Sequence, residues 1–153
     1  MDLFTIKQKV NGALKKLKEI DHVLLEINVN ERTISHKFAE YLQNEFADFS
    51  VDCEYNRHLD MKKILDVPKD PINWDDVESK TIFPDIIVHQ RTNDKGNLLV
   101  IEMKKSSNRV DRQFDMSKIQ AMMMTPFNYQ FGLFIAINVV GGDDSLTWWE
   151  KNG

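Results

Sequence analysis

The chain carries Ile82-Phe83-Pro84-Asp85-Ile86-Ile87-Val88 and, ten residues on, Leu98-Leu99-Val100-Ile101-Glu102-Met103-Lys104-Lys105. Both stretches are short, apolar and rich in β-branched side chains, the pattern of buried strands. Between them lies Thr92-Asn93-Asp94-Lys95-Gly96, built from residues that tolerate turn geometry. The spacing predicts a hairpin with strands over residues 81–91 and 97–105. Its ionisable residues need a reason, because a charge inside an apolar run is costly to bury unless it is paired or metal-bound. Glu102 and Lys104 are two apart and project from one strand face. One reason is a structural ion pair of Asp85 or Glu102 with Lys104. The other is a metal site, with two carboxylates supplying hard oxygen ligands for Mg²⁺ and the lysine beside them orienting or deprotonating a water. The same lysine could offset charge developing on an attacked phosphate.

Outward from the hairpin, residues 110–125 read as a helix stopped by Pro126. Residues 129–140 are apolar on both faces and predict a central strand. Upstream, residues 49–59 alternate apolar and polar, a half-buried strand. Cys53 falls on its apolar side and is expected to be buried and inert. Pro68, Pro71 and mixed charges break any period over 60–80, so a loop is expected there. Asn30 is a good N-cap for a helix with apolar positions Ile34, Phe38, Tyr41, Leu42 and Phe46. Glu31 lies three before Ile34 and seven before Phe38, which puts it on the inward stripe. A first helix over 3–20 buries Leu3, Ile6, Val10, Leu14, Leu17 and Ile20 and turns Lys7, Lys9, Lys15, Lys16 and Lys18 outward. Residues 145–153 are too few to assign, although Trp148 and Trp149 suggest packing. The expected class is α/β with a four-stranded mixed sheet flanked by helices.

The chain has 153 residues, the size of one domain. We expect one unit over 1–153, with a helical extension at 1–28 and a core at 30–140. Hydrophobic residues make up 42% and charged residues 29%, which excludes a disordered or fibrous chain. A single cysteine excludes an internal disulfide and a four-cysteine zinc site, and points to a reducing, cytoplasmic setting. No apolar run approaches the roughly 20 residues that span a bilayer, so no membrane partner is expected. His22, His36, His58 and His89 lack zinc spacing, His89 reading as a surface residue, and no Walker-type phosphate loop is present. Met122-Met123-Met124 reads as core filling. The net charge of -4 is uneven: residues 40–80 hold 11 acidic and 5 basic side chains, leaving 13 acidic and 15 basic elsewhere. Any nucleic-acid contact should therefore come from the first helix and the segment around residues 104–118.

Pro84-Asp85 followed by Glu102-Met103-Lys104 resembles the PD-(D/E)XK nuclease superfamily, the restriction-endonuclease-like fold. The resemblance runs from Glu31 to about Val140, and the stretch from Asp111 to Gly132 resembles small members of that superfamily. It implies an α-β-β-β-α-β core, preceded here by one extra helix. It implies a Mg²⁺-dependent nuclease, Mn²⁺ being able to substitute, that hydrolyses phosphodiester bonds of nucleic acid, DNA first. Asp85 and Glu102 would bind the metal, with the backbone carbonyl of Met103 as a further ligand. Glu31 would serve a second ion, directly or through water, and Lys104 would activate the attacking water. Some members add a lysine or glutamine from the following helix; Lys118, four after Phe114, fits that place, and Gln120 fits it less well. Lys105, Arg109, Arg112, Lys118, Lys15 and Lys16 are the expected nucleic-acid contacts. The small size implies a homodimer or a larger protein complex. The rival expectation is an inactive nucleic-acid-binding or protein-interaction module on the same fold.

Overall fold

In the computed structural model, residues 1–54, 83–91, 94–108 and 112–151 are described. Six sequence expectations lie outside these residues: the strand end at 55–59, the loop at 60–80, Thr81 with Ile82, Thr92 with Asn93, Arg109, and Val110 with Asp111. The four described helices are α1 (Leu3–Ile20), α2 (His22–Glu26), α3 (Glu31–Glu45) and α4 (Gln113–Met123). The strands are β1 (Ser50–Cys53), β2 (Ile86–His89), β3 (Leu99–Lys105), β4 (Phe131–Ile137) and β5 (Ser145–Glu150).

The strands form one mixed sheet in chain order. β1–β2, β2–β3 and β4–β5 pair antiparallel, and β3–β4 pair parallel. A parallel pair needs a crossover, and α4 is that crossover. The sheet has five strands rather than the expected four, because the tail forms β5. Its Trp148 and Trp149 lie opposite Leu133 and Gly132 of β4. Nine or fewer residues carried no turn signal of their own, so the neighbouring strand, not local pattern, decides that segment.

Two of the helices start at side-chain caps. Asp2 caps α1 by accepting from the Thr5 amide at 2.7 Å, and Asn30 caps α3 by accepting from the Thr33 amide at 2.9 Å. Ile6, Val10, Leu14 and Leu17 of α1 and Ile34, Phe38 and Leu42 of α3 are buried together against Ile86, Ile101, Met103, Leu133 and Ile135. Ile20 departs from the expected stripe and is exposed, because α1 ends there and Asp21 turns the chain into the five-residue α2. On the opposite face α4 buries Ile119, Met122 and Met123 against Ile87, Val100 and Phe134. Met124 of the methionine run is exposed, since α4 ends before it. β4 is buried along all seven residues, as a strand with helices on both faces must be. Among the described residues no helix is long and apolar enough to cross a membrane.

Two expectations are overturned locally. Cys53 is exposed rather than core, because β1 ends on it at the sheet edge. His89 is buried, and its Nε2 lies 2.8 Å from Asp52 Oδ2 on the neighbouring strand. Arg91 also donates to Asp52, at 2.6 and 3.0 Å, and holds that carboxyl below its ordinary value.

Close packing of α4 depends on Gly132. A Cβ there would come within 2.4 Å of Ile119 Cγ2 and 2.9 Å of Met123 Sδ. Gly132→Ala is therefore expected to destabilise the fold by about 1–3 kcal/mol, as overpacking does. Urea unfolding would read this as a lower midpoint with an unchanged slope.

Candidate functional site

β2 begins only at Ile86, which pairs with Ile101, so β3 has no β2 partner from Glu102 onward. Pro84 favours this early end, since it has no N–H to give a ladder. The Met103 amide is left over, and Asp85 takes the vacant acceptor position, its Oδ2 receiving that N–H at 2.8 Å. The Asp85 carbonyl meanwhile accepts from the Glu54 amide at 3.2 Å. The hairpin thus opens at one end, and the opening is a cleft of about 470 Å³.

The cleft gathers most of the expected site. It is lined by Asp85, Glu102, Met103 and Lys104 from the hairpin, Glu31 from the start of α3, and Lys118 from α4. Glu102 is 2% exposed. Lys118 Nζ lies 2.8 Å from Glu102 Oε1 and donates to the Phe83 carbonyl at 3.2 Å. Lys104 Nζ lies 2.7 Å from Asp115 Oδ2, and Asp115 Oδ1 lies 4.0 Å from Lys118. Glu31 Oε1 accepts from the Asn108 side-chain amide at 2.5 Å.

Two of these oxygens, Glu102 Oε1 and Asp115 Oδ2, are buried, and each faces a lysine nitrogen as an ion pair, at 2.8 and 2.7 Å. Burial, reinforced by the charge of Asp85, pushes the Glu102 carboxyl well above its ordinary value of 4.5. Burial also raises Asp85, against the opposing pull of the Met103 amide. For Lys118 burial alone would favour the neutral amine, but the attraction of Glu102, Asp85 and Asp115 outweighs it and raises the ammonium. Among the described residues no three His, Cys, Asp or Glu side chains converge on one metal position.

Comparison with protein-family models, with curated proteins and with solved structures returned no match.

Other expected contacts are distributed differently. Lys118 was expected as a surface contact as well as an inward residue; it is buried, so only the inward role is open to it. Gln120 is exposed on the other side of α4. Lys16 pairs with Glu45 at 2.7 Å, at the opposite end of α3 from Glu31. A 15-residue helix is roughly 22 Å long, so Lys16 and its neighbour Lys15 stand away from the cleft. Lys15 faces Glu19 on α1 at 3.7 Å. Lys105 binds the Asn28 side chain at 2.8 Å, and Arg112 lies over the Phe134 ring at 5.8 Å.

Sequence reasoning gave no role to Asp115, Arg32, Glu54 or Asn108. Asp115 had a usable signal: it lies three before Lys118 in a helix, hence on the same face. Arg32 and Glu54 pair at 2.9 Å at the cleft rim, a contact between segments that no local pattern could announce. Partial desolvation and the nearby charges of Asp85, Glu54 and Asp52 push the Cys53 thiol up to about 11, so it is a poor nucleophile at neutral pH.

The raised carboxyls make the metal-free fold pH-sensitive in a definite sense. Protonation of Glu102 and Asp85 favours the folded state, so their contribution is full below the ordinary carboxylate range and is lost as pH rises through their folded-state values. Glu102→Gln removes this titration while leaving the buried Lys118 ammonium without its carboxylate partner. Thermal melts from pH 4.5 to 8 should therefore show wild type losing stability relative to the variant as pH rises. A difference that is flat or reversed would contradict the charge arrangement.

Proposed function

We propose that the chain is a metal-dependent phosphodiesterase of the PD-(D/E)XK type, a nuclease acting on nucleic acid, with DNA as the first substrate to test. One observation carries this reading: Asp85, Glu102 and Lys104 line one cleft where the hairpin opens, and Glu102 is buried there. The donor set fits Mg²⁺. Hard oxygens suit it, and it keeps several waters, so one or two carboxylates suffice. Asp85 and Glu102 would hold the ion, with the Met103 carbonyl as a further candidate ligand.

When bound, the cation supplies Lewis-acid polarisation of the phosphate and lowers the pKa of water. The chain's own residues do the rest. Asp85 is oriented by the Met103 amide, which fixes its free oxygen relative to Glu102. Lys104 is held by Asp115 at 2.7 Å and lines the same cleft as the carboxylates, where its ammonium would orient an attacking water. Its positive charge also opposes the charge gathering on the phosphate oxygens. Glu31, at the rim, is positioned by Asn108 to assist a second ion or a water.

A second reading is a binding module that does not cleave. The pairing of Lys104 with Asp115 and of Lys118 with Glu102 favours it, because a closed ion-pair cluster is self-sufficient.

The deciding experiment incubates the purified protein with Mg²⁺ or Mn²⁺ and single- and double-stranded DNA and RNA, beside Glu102→Ala and Lys104→Ala. Cleavage by wild type is expected, with a loss of at least about 100-fold in each variant, the usual contribution of a general base. Nucleic-acid binding with no cleavage under either metal would select the binding module instead.

A further inference from the structure

We propose that Lys118 is a tethered counter-ion of the cleft, and that a divalent cation enters by displacing its ammonium from Glu102. The inference rests on the metal-dependent reading of the site and adds how the site is kept ready without its ion.

The geometry points to this role. Lys118 reaches in from α4, on the other side of the cleft from α3. Its side chain is 5% exposed, and its Nζ sits 2.8 Å from Glu102 Oε1, 3.2 Å from the Phe83 carbonyl and 4.0 Å from Asp115 Oδ1. That nitrogen occupies the place in front of Glu102 Oε1 that an entering cation would need. A carboxylate oxygen paired with one ammonium keeps lone-pair capacity for a better-fitting cation.

The charge balance agrees. Glu31, Asp85, Glu102 and Asp115 line the cleft, against the ammoniums of Lys104 and Lys118. Arg32 and Glu54 cancel each other at the rim. Formally this set holds two more negative than positive charges, which favours the entry of a divalent cation. A Mg²⁺ ligated by Glu102 Oε1 at about 2.1 Å would share that oxygen with the ammonium, and two cations so close in a buried site repel strongly. Lysine is the side chain suited to yielding: a point charge on a flexible four-carbon stem, able to swing away without moving its helix.

A tethered competitor acts at high effective concentration, so Lys118 weakens metal binding. Linkage makes the effect reciprocal: bound metal loosens the Lys118–Glu102 contact by the same factor.

Calorimetric titration with Mg²⁺ and Mn²⁺ tests the first half. Lys118→Met is expected to bind metal about tenfold tighter than wild type, or more. The second half uses wild type alone. Lysines are acetylated with a water-soluble N-hydroxysuccinimide ester, with and without saturating Mg²⁺, and each site is read by peptide mass spectrometry. Lys118 labelling should rise severalfold with metal, while Lys15, 74% exposed, serves as an unchanging control. If Lys118→Met does not fold, the labelling result decides. Metal bound by both proteins with equal affinity, or bound by wild type with Lys118 still protected, overturns the counter-ion role and leaves the metal reading standing. No metal binding by either protein overturns both.

Discussion

One amide without a β2 partner organises the cleft. β2 starts at Ile86 while β3 continues to Lys105, so the Met103 N–H meets no β2 residue. A buried backbone donor must find an acceptor, and Asp85 supplies one from its side chain. That substitution fixes the carboxylate against β3, next to Glu102. It also stops the sheet from closing over the site. The proline before Asp85 works in the same direction, since it cannot extend the ladder.

Once two carboxylates are held in a buried place, the remaining charges follow from electrostatics. Burial makes each acid costly to ionise, the charge of Asp85 adds to the cost at Glu102, and both are raised. Cations are drawn in from α4 and β3, and Asp115 lies between Lys104 and Lys118. This is a network rather than a set of separate pairs. Taking these charges out of water is costly, and removing one partner of a buried pair leaves the other uncompensated.

Much of this was legible in the sequence. The hairpin, the cap at Asn30, the central strand at Phe131–Ile137 and the shared face of Glu102 and Lys104 all follow from short-range periodicity and side-chain chemistry. Glu31 could be placed toward the cleft from its helical phase alone. What escaped was non-local. β5 has no strand identity without β4 beside it, and the inward aim of Asp115 depends on how α4 lies on the sheet. Cys53 and His89 went wrong for a related reason. Alternation assigns a side but not where a strand ends or what polar partner waits across it.

The missing side chain at Gly132 has a consequence far from its own position. It lets Ile119 settle directly onto β4, and Ile119 is the residue after Lys118. The depth to which the helix sinks onto the sheet thus sets how far the ammonium extends into the cleft. One absent methyl group works as a spacer gauge, through which the packing of the apolar layer calibrates a distance between charges.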